Sequence, residues 1–394
     1  MANNLSAFNP EYWSKRMQVI RFKIPVYMKI ASMEERSLLK DGDTVHRPYR
    51  SRLVTQNYSR GTDVSIQDVS ATDETLVVNT AKIVPFYVDD LDQIQNKWDT
   101  ANRFADDAGT ELELTIDADV LGEVVNADYT VDDGDVGGTA GTPITLSTSN
   151  VLRVFAAAAK KLNRGNITMA DRFAVISPTT HQLLVEYLAG KDTNVADKVG
   201  ENGYVGRFQG FELYLSNQTY YSATWTPANN PTNNDTITIN GVTFTFVSSI
   251  GSTAGNVLIG GTLAETLDNL KTLIDDLATT TATGVAVTSA SQRALAGLAI
   301  TDNATNVTIQ FEGAGEIDVA ASEANDPWSA QTVHLMFGQK GAVDLVVQKQ
   351  PTVVFKDVPT KLGRNVMPWT LYGLKTFQEG GEQLVDVQLD ATSF

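Results

Sequence analysis

The sequence predicts an α+β fold in which strands surround one unusually long helix, with a second, small α+β module placed inside the chain. From residue 89 to residue 125, apolar residues recur every three or four positions, the period of a helix buried along one face. Between residues 221 and 331 the only basic residues are Lys271 and Arg293, and Thr, Ala, Gly and Asn dominate. This change of composition marks the module, and the chain regains its earlier character after it.

The first 80 residues predict two extended elements. Residues 1–40 mix basic and aromatic side chains, a composition that suits an arm packing outside its own domain. Residues 41–80 read as strands on either side of a turn at residues 60–63, which predicts a long two-stranded hairpin. Because such a hairpin is marginally stable alone in water, it should rest on another surface.

The long helical pattern predicts a rod of about 45 Å, since some 30 residues rise about 1.5 Å each. Asp89, Asp90 and Asp92 occupy its start, where carboxylates suit the free N–H groups of the first turn. Gly109 is its weak point. The Asp- and Gly-rich loop at residues 131–141 is predicted to be flexible.

The remaining chain alternates helices with apolar strands. The predicted elements are a helix at 149–163, a strand at 173–177, a helix started by Thr179 or Thr180, a hairpin at 236–246, a helix at 263–277, and strands at 306–311, 343–348, 352–355 and 383–389. The hairpin prediction depends on the Asn240-Gly241 turn between alternating apolar residues. The helix at 263–277 depends on a stripe of leucines along one face.

Charge is divided unevenly along the chain. The net charge is −17, yet residues 1–60 carry eleven basic and five acidic side chains, a balance of +6, which leaves −23 for the rest. A basic arm on an acidic body suits head-to-tail association of copies, and a basic disordered tail is an equally open interpretation. The acidic total argues against tight nucleic-acid binding. No apolar run reaches the roughly 18 residues of a membrane helix, and the first ten residues lack signal-peptide features.

No pattern in the chain predicts catalysis or a metal site. Cysteine is absent, and His46, His181 and His334 lie far apart without metal-ligand spacing. A Ser-His-Asp arrangement stays open, although no G-x-S-x-G elbow is present. The acidic run at residues 132–135 lacks the full spacing of a calcium loop. We therefore expect no catalytic residue, no cofactor and no metal.

Three further segments stand out in this order of elements: residues 171–178 between two helices, residues 205–214, and Tyr372-Gly373 in a closing strand. With them, the chain resembles the major capsid proteins of tailed phages, the family with the Hong Kong phage capsid fold. The resemblance implies these units: residues 1–40 (N-terminal arm), 41–80 (extended β-hairpin loop), 81–145 (peripheral domain with spine helix), 146–220 and 332–368 (axial domain), 221–331 (insertion domain) and 369–394 (C-terminal peripheral-domain strand).

The implied function is that of a coat protein that assembles into pentamers and hexamers and then into a closed shell around double-stranded DNA. The resemblance implies no enzymatic activity and no sequence-specific contact with the DNA. Implied partners are other copies, a portal, and scaffold or decoration proteins, with assembly in the host bacterial cytoplasm and residence in the virion. An encapsulin-like compartment and a β-rich adhesin or glycan-binding protein remain as alternatives.

Basic and aromatic residues of the first 60 positions are the candidate intersubunit contacts. They are Arg47, Arg50, Arg52 and Arg60 on the hairpin, and Trp13, Arg16 and Arg21 on the arm. Because the body is acidic, we expect the hairpin arginines to pair with the acidic spine helix of a neighbouring copy.

Overall fold

The computed structural model of the chain gives the positions of most residues. The described residues are 24–34, 42–50, 53–69, 71–91, 100–191, 206–313, 317–322, 328–358 and 362–391. The predicted contacts Trp13, Arg16, Arg21 and Arg52 lie outside this part of the chain. Within it, no helix has both the length and the apolar character that crossing a membrane requires.

Helices and strands alternate along the described chain. The helices are α1 (Tyr27–Ile30), α2 (Thr100–Gly122), α3 (Asp133–Val136), α4 (Val151–Arg164), α5 (Pro178–Ala189), α6 (Leu263–Asp275), α7 (Ser289–Ala294) and α8 (Gln378–Gly381), with a 3-10 turn at Glu123–Asn126. The strands are β1 (Thr44–Arg50), β2 (Ala71–Val77), β3 (Thr80–Ile83), β4 (Phe86–Asp89), β5 (Tyr129–Val131), β6 (Arg172–Ile176), β7 (Arg207–Phe208), β8 (Phe211–Leu215), β9 (Tyr220–Trp225), β10 (Thr236–Ile239), β11 (Val242–Val247), β12 (Asn256–Leu258), β13 (Leu298–Asp302), β14 (Val307–Phe311), β15 (Val319–Ala321), β16 (Trp328–Gln339), β17 (Asp344–Asp357), β18 (Gly363–Lys375) and β19 (Leu384–Asp390). The predicted helices at 149–163 and 263–277 and the hairpin at 236–246 are confirmed to within a few residues.

A nine-stranded sheet holds the centre of the chain together. Its order is β13-β14-β9-β16-β6-β8-β7, with β19 paired to β16 and β5 paired to β19. The strand β16 organises it, since it pairs antiparallel with β6, β9 and β19. Alternate residues of β6 enter two different cores, Ala174 and Ile176 on one face and Phe173 and Val175 on the other. Both faces of this strand are therefore covered, as its apolar run predicts.

The long helix α2 packs into the second of these cores. Its buried residues Ile116, Val120 and Leu121 share that core with Met336 of β16 and Tyr372 of β18. The four-residue spacing of Ile116 and Val120 places their side chains on one face of the helix, and Leu121 lies beside them. The described part confirms the predicted long helix over residues 100–122.

One buried carboxylate holds the first described helix against α2. Asp117 is fully buried, and its Oδ1 accepts hydrogen bonds from the backbone N–H groups of Val26 and Tyr27, both at 2.7 Å. The start of α1 has no side-chain cap of its own, so Asp117 satisfies donors that would otherwise be buried without partners. Burial raises the pKa of the Tyr27 hydroxyl to about 12, and the charges of Glu113 and Asp117 add to the shift.

A second sheet also packs against α2. In it β17 and β18 form a long antiparallel ribbon, and β18 also pairs with β3 and β4. The strands predicted at 343–348 and 352–355 are one strand, because irregularities in the register between Val347 and Thr352 carry the chain past Pro351 without breaking the ribbon. The predicted boundary between residues 368 and 369 falls within β18, and β19 joins the nine-stranded sheet.

The predicted module at residues 221–331 is not self-contained. It has a four-stranded sheet of its own, β12-β11-β10-β15, against which α6 packs its apolar face. However, β13 and β14 continue the nine-stranded sheet, with β14 paired to β9 from Val307↔Trp225 to Phe311↔Tyr221. The predicted boundaries therefore fall inside β9 and β16. Without β14, β9 would be an edge strand with unpaired N–H and C=O groups. The pairing with β14 satisfies those groups. The composition of the segment does not reveal this pairing.

The helix α5 starts earlier than predicted. It begins at Pro178, with Ser177 as its N-cap, and the Ser177 Oγ accepts a hydrogen bond from the Thr180 N–H at 3.2 Å. Neither Thr179 nor Thr180 starts it. Proline is favoured at the first helical position because its missing N–H would have no partner there.

The predicted hairpin carries a strand ladder only at its base. There β1 and β2 pair from Thr44↔Val77 to Arg50↔Ala71. In residues 53–69 the ladder does not continue, although the Gln67 side chain bonds to the Val54 backbone. The predicted turn is confirmed by a hydrogen bond from the Thr62 N–H to the Ser59 carbonyl at 3.1 Å. The distal part therefore projects beyond the paired strands.

Two glycines test this description of the core. Gly109→Ala should raise the free energy of unfolding by about 0.5–1 kcal/mol, because an added Cβ meets nothing within 4 Å and alanine favours the helix. Gly373→Ala should lower it by about 1–3 kcal/mol, because the Cβ would lie 2.5 Å from the Val77 carbonyl oxygen. Denaturant unfolding of both variants beside the wild type checks the pair. Effects of the same sign would contradict it.

Candidate assembly surfaces

The distal hairpin exposes more apolar surface than a solvated loop requires. Ile66 is 91% exposed and Tyr58 69% exposed. The other large apolar side chains exposed on residues 53–69 are Leu53, Val54, Val64 and Val69. Burying one such side chain stabilises a contact by about 1.5–3 kcal/mol. Clustered exposed apolar residues mark surfaces that bind another molecule, so this stretch is the first candidate assembly surface.

The described hairpin arginines divide into two kinds. Arg50 and Arg60 are exposed. Arg47 is two-thirds buried, and its Nη1 donates to Asp344 Oδ2 at 2.7 Å, with the guanidinium 4.3 Å from the centre of the Phe377 ring. The Asp344 side chain is 4% exposed. Arg47 thus fastens the base of the hairpin to β17 of its own chain, and a role between copies stays a prediction for all three arginines.

The helix α2 is acidic along its described length. Its charged residues are Arg103 against Asp106, Asp107, Glu111, Glu113, Asp117 and Asp119. Asp119 accepts a hydrogen bond from the Tyr372 hydroxyl and lies 3.9 Å from the Nζ of Lys82. Glu312, at the end of β14, faces the same carboxylate. The loss of water around the Glu312 carboxyl and the repulsion from Asp119 raise its pKa to about 7. This carboxyl pair joins α2 to the end of the β13–β14 hairpin.

Ser222, His334 and Asp386 meet across three neighbouring strands, the arrangement that the sequence left open. The Oγ of Ser222 lies 2.9 Å from His334 Nε2, and His334 Nδ1 lies 2.9 Å from both oxygens of Asp386. This is the order of atoms in a Ser-His-Asp hydrolase. Such enzymes also aim free backbone N–H groups at the oxyanion, whereas β9 pairs at Ser222 with both β14 and β16. The three side chains act here as a buried polar link within the sheet.

The acidic run at residues 132–135 is used by the backbone. Asp132 and Asp135 form a reciprocal capping box at the start of α3, and Asp133 accepts a hydrogen bond from the Thr139 N–H at 2.8 Å. The Nζ of Lys161 also donates to Asp135. The loop predicted to be flexible therefore begins at the last residue of β5 and contains a capped helix. In the part of the chain that the structure describes, no group of three or more His, Cys, Asp or Glu could hold a metal ion.

Solved structures share this arrangement over nearly the whole chain. A structure from Mycobacterium phage Che8 matches with 15% identity and a TM-score of 0.59, covering 98% of both chains. The capsid of cyanophage P-SCSP1u matches with 11% identity and a TM-score of 0.55, covering 98% of this chain and 94% of that one. The chain has the tailed-phage capsid fold. The mature capsid of bacteriophage PhiM1 matches with 10% identity and a TM-score of 0.51, covering 97% and 92%. No protein-family model and no curated protein sequence matches the chain.

The sequence analysis did not identify most of the residues that join distant segments of this fold. Asp344 and Asp386 lie on strands, Glu312 directly follows one, and the three contact groups from about 50 to 300 positions away. No spacing rule relates such residues, because strand pairing decides which of them meet. The one local signal was an aspartate or glutamate within an otherwise apolar strand, since a charge is rarely buried without a partner.

Substitutions of Arg47 and Arg50 should change the free energy of unfolding by different amounts, because Arg47 pairs with a buried carboxylate and Arg50 is exposed. Arg47→Ala should lower the free energy of unfolding by about 2 kcal/mol, because it takes a hydrogen-bonding partner from the buried Asp344 carboxylate. Arg50→Ala, three residues further along the same strand, should change it by less than about 0.5 kcal/mol. Thermal and denaturant unfolding measure both. Equal losses would refute the distinction.

The link formed by Ser222, His334 and Asp386 predicts different losses of stability for substitutions at its two ends. His334→Leu should cost about 3 kcal/mol, because it leaves the Asp386 carboxylate buried without its histidine donor. Ser222→Ala removes one hydrogen bond at the half-exposed end of the link and should cost about 1 kcal/mol. Denaturant unfolding gives both values. A larger loss for Ser222→Ala than for His334→Leu would show that the link is organised differently.

Proposed function

We propose that this chain is the major capsid protein of a tailed double-stranded DNA phage. Copies would assemble into pentamers and hexamers, and these would close into a shell that encloses the genome. The observation that carries the proposal is the likeness to phage structures over 98% of the chain and 98% of its structural neighbour. Since a fold can host several functions, surfaces suited to self-association add independent support.

Two surfaces of the chain suit self-association. The distal hairpin presents apolar side chains that its own chain leaves in solvent. The first 60 residues are basic while the rest of the chain is strongly acidic, so unlike regions of two copies attract each other. A stable contact buries more than about 1,000 Å² in total, and an extended hairpin achieves this with few residues.

The proposed role is structural, and the parts are assigned accordingly. Residues 1–40 would be the arm, 41–80 the extended loop, and the region around α2 the peripheral domain with its spine. Residues 221–331 would be an insertion that has fused its β13–β14 hairpin to the host sheet. The chain would act by association alone, in a virion assembled in the bacterial cytoplasm. Its partners would be other copies, a portal, and scaffold or decoration proteins.

Electron microscopy of the expressed chain, combined with nuclease treatment, tests the proposal. Closed particles that protect DNA in infected or lysogenic cells would support the phage capsid. Closed particles that hold protein cargo and no DNA would instead support the encapsulin-like compartment. A stable monomer or trimer at high concentration, without capsomers under any condition, would refute the proposal and leave the adhesin as the remaining candidate.

The apolar side chains of the hairpin should matter for assembly and not for folding. The double variant Tyr58→Ser/Ile66→Ser should keep the free energy of unfolding within about 0.5 kcal/mol, because both side chains are exposed. Its yield of closed particles should fall at least tenfold, since each lost contact removes about 1.5–3 kcal/mol per copy. Met169→Ser, 66% exposed elsewhere on the chain, is the matched control. Gradient centrifugation and negative-stain images count particles, and normal yields from the double variant would refute the role.

A further inference from the structure

A cavity of about 450 Å³ separates α2 from the β13–β14 hairpin. Its polar wall includes the carboxyl groups of Glu111, Asp119 and Glu312 and the side-chain amide of Gln218. Lys82 lies at one side, with its Nζ 3.9 Å from Asp119 Oδ2. That separation is longer than a charged hydrogen bond of about 2.8 Å, so Lys82 neutralises the group only in part.

Gln218 lines the cavity and carries a hydrogen-bond acceptor that no described residue satisfies. The residue is 5% exposed, and its Nε2 donates to the Leu114 carbonyl at 3.1 Å. Its Oε1 is buried and accepts no hydrogen bond from any described residue. A buried acceptor without a donor costs about 1–3 kcal/mol. A donor in the cavity would remove that cost if the Gln218 side-chain amide turned its oxygen toward it.

The polar groups that line the cavity are mostly hydrogen-bond acceptors, and most of them are acidic. A ligand that suits them is a cation that donates hydrogen bonds. Every polar wall group other than Lys82 offers oxygen atoms, and Asp119 and Glu312 face each other as two acids. A planar guanidinium donates up to five hydrogen bonds and matches two carboxylates better than a point charge does. An arginine side chain therefore fits these acceptors.

We propose that this anionic cavity receives the guanidinium of Arg60 from a second copy of the chain. Arg60 lies at the turn of the hairpin, exposed and at the most distal point of residues 53–69. The exposed apolar residues on both sides of it would cover the rim of the cavity. The uneven charge of the chain, basic before residue 61 and acidic after it, has the sign that such docking needs. This inference rests on the proposed function and names the contact through which copies recognise each other.

The groups around Glu312 give the docking a pH dependence. Asp119 and Glu111 face it from α2, Glu123 from the 3-10 turn, Lys82 from β3, Tyr372 from β18 and Tyr220 from β9. In the free chain, loss of water and the charge of Asp119 raise the pKa of Glu312 to about 7. The residue keeps solvent contact, so water screens part of this repulsion.

The sign of the effect follows from proton binding. A carboxyl whose pKa is raised on folding holds a proton that the unfolded chain has lost, so the free chain loses stability as pH rises from about 4.5 to about 7. An arriving guanidinium favours the carboxylate and displaces that proton. Association should therefore strengthen about tenfold between pH 6 and pH 8, following the ionised fraction of Glu312.

A double-mutant cycle tests the contact. Sedimentation velocity at pH 6 and pH 8 measures association of the wild type, Glu312→Gln, Arg60→Gln and the double variant. Each single variant should weaken association at pH 8 at least tenfold, and the double variant should be no weaker than either single one. Glu312→Gln should also lose the dependence on pH, which separates its effect from the titration of histidines. Asp106→Asn, the same charge change at an exposed site on α2, should behave as the wild type does. Additive losses, or an unchanged pH profile in Glu312→Gln, would overturn the proposal.

Cross-linking separates this inference from the proposed function. The chain contains no cysteine, so Thr62→Cys beside the turn and Ala296→Cys at the cavity are unique reactive sites. A bismaleimide of about 10 Å should join the two variants at high concentration, and Thr62→Cys with Asp106→Cys should give at least tenfold less product. Closed particles from the wild type without the specific product would overturn the docking and leave the capsid function standing. The specific product in a chain that never forms particles would uphold the docking and refute the capsid.

Discussion

The packing of α2 against two sheets in one core is the constraint on which the rest of the structure depends. One face of the helix contacts the nine-stranded sheet through Met336, and the β17–β18 ribbon supplies Tyr372 to the same core. The strands that supply these contacts, β16 and β18, come much later in the sequence than the helix, so the helix joins parts of the chain that are distant from one another. Close packing makes such a core rigid, because interiors tolerate few voids and little overlap. A rigid centre is what allows the hairpin to project from it in a defined direction.

Buried carboxylates connect the chain segments that meet around this core. Asp117 holds the start of α1, Asp344 holds the base of the hairpin through Arg47, and Asp386 joins β19 to β16 through His334. In each case a donor from a remote segment satisfies a charge that would be costly to bury alone. Glu312 differs, because it is exposed and the group that it faces is another acid. That difference is why the cavity beside it, and not one of the satisfied pairs, is the place where a second molecule would add a missing donor.

The distal part of the extended hairpin exposes apolar side chains, where most solvated loops expose polar ones. Its base is paired and fastened to the body, while its distal residues carry apolar side chains into solvent. A single chain gains nothing from this arrangement, because the hydrophobic effect rewards removal of such surface from water. Many copies that each cover the hairpin of a neighbour would gain the same contact repeatedly. The chain thus places its closest intramolecular packing at the centre and leaves apolar surface uncovered on the hairpin.

The sequence by itself determined the elements whose signal is local. The period of α2, the Asn240-Gly241 hairpin, the leucine stripe of α6 and the uneven charge all follow from neighbouring residues, since side-chain period and turn chemistry act over a few positions. Only the tertiary structure decided that β13 and β14 extend the sheet of the host, that β17 continues past Pro351, and that Glu312 faces Asp119. Those outcomes depend on which strand edges meet and which polar groups find partners. Both are settled by the packing of segments that lie up to hundreds of residues apart.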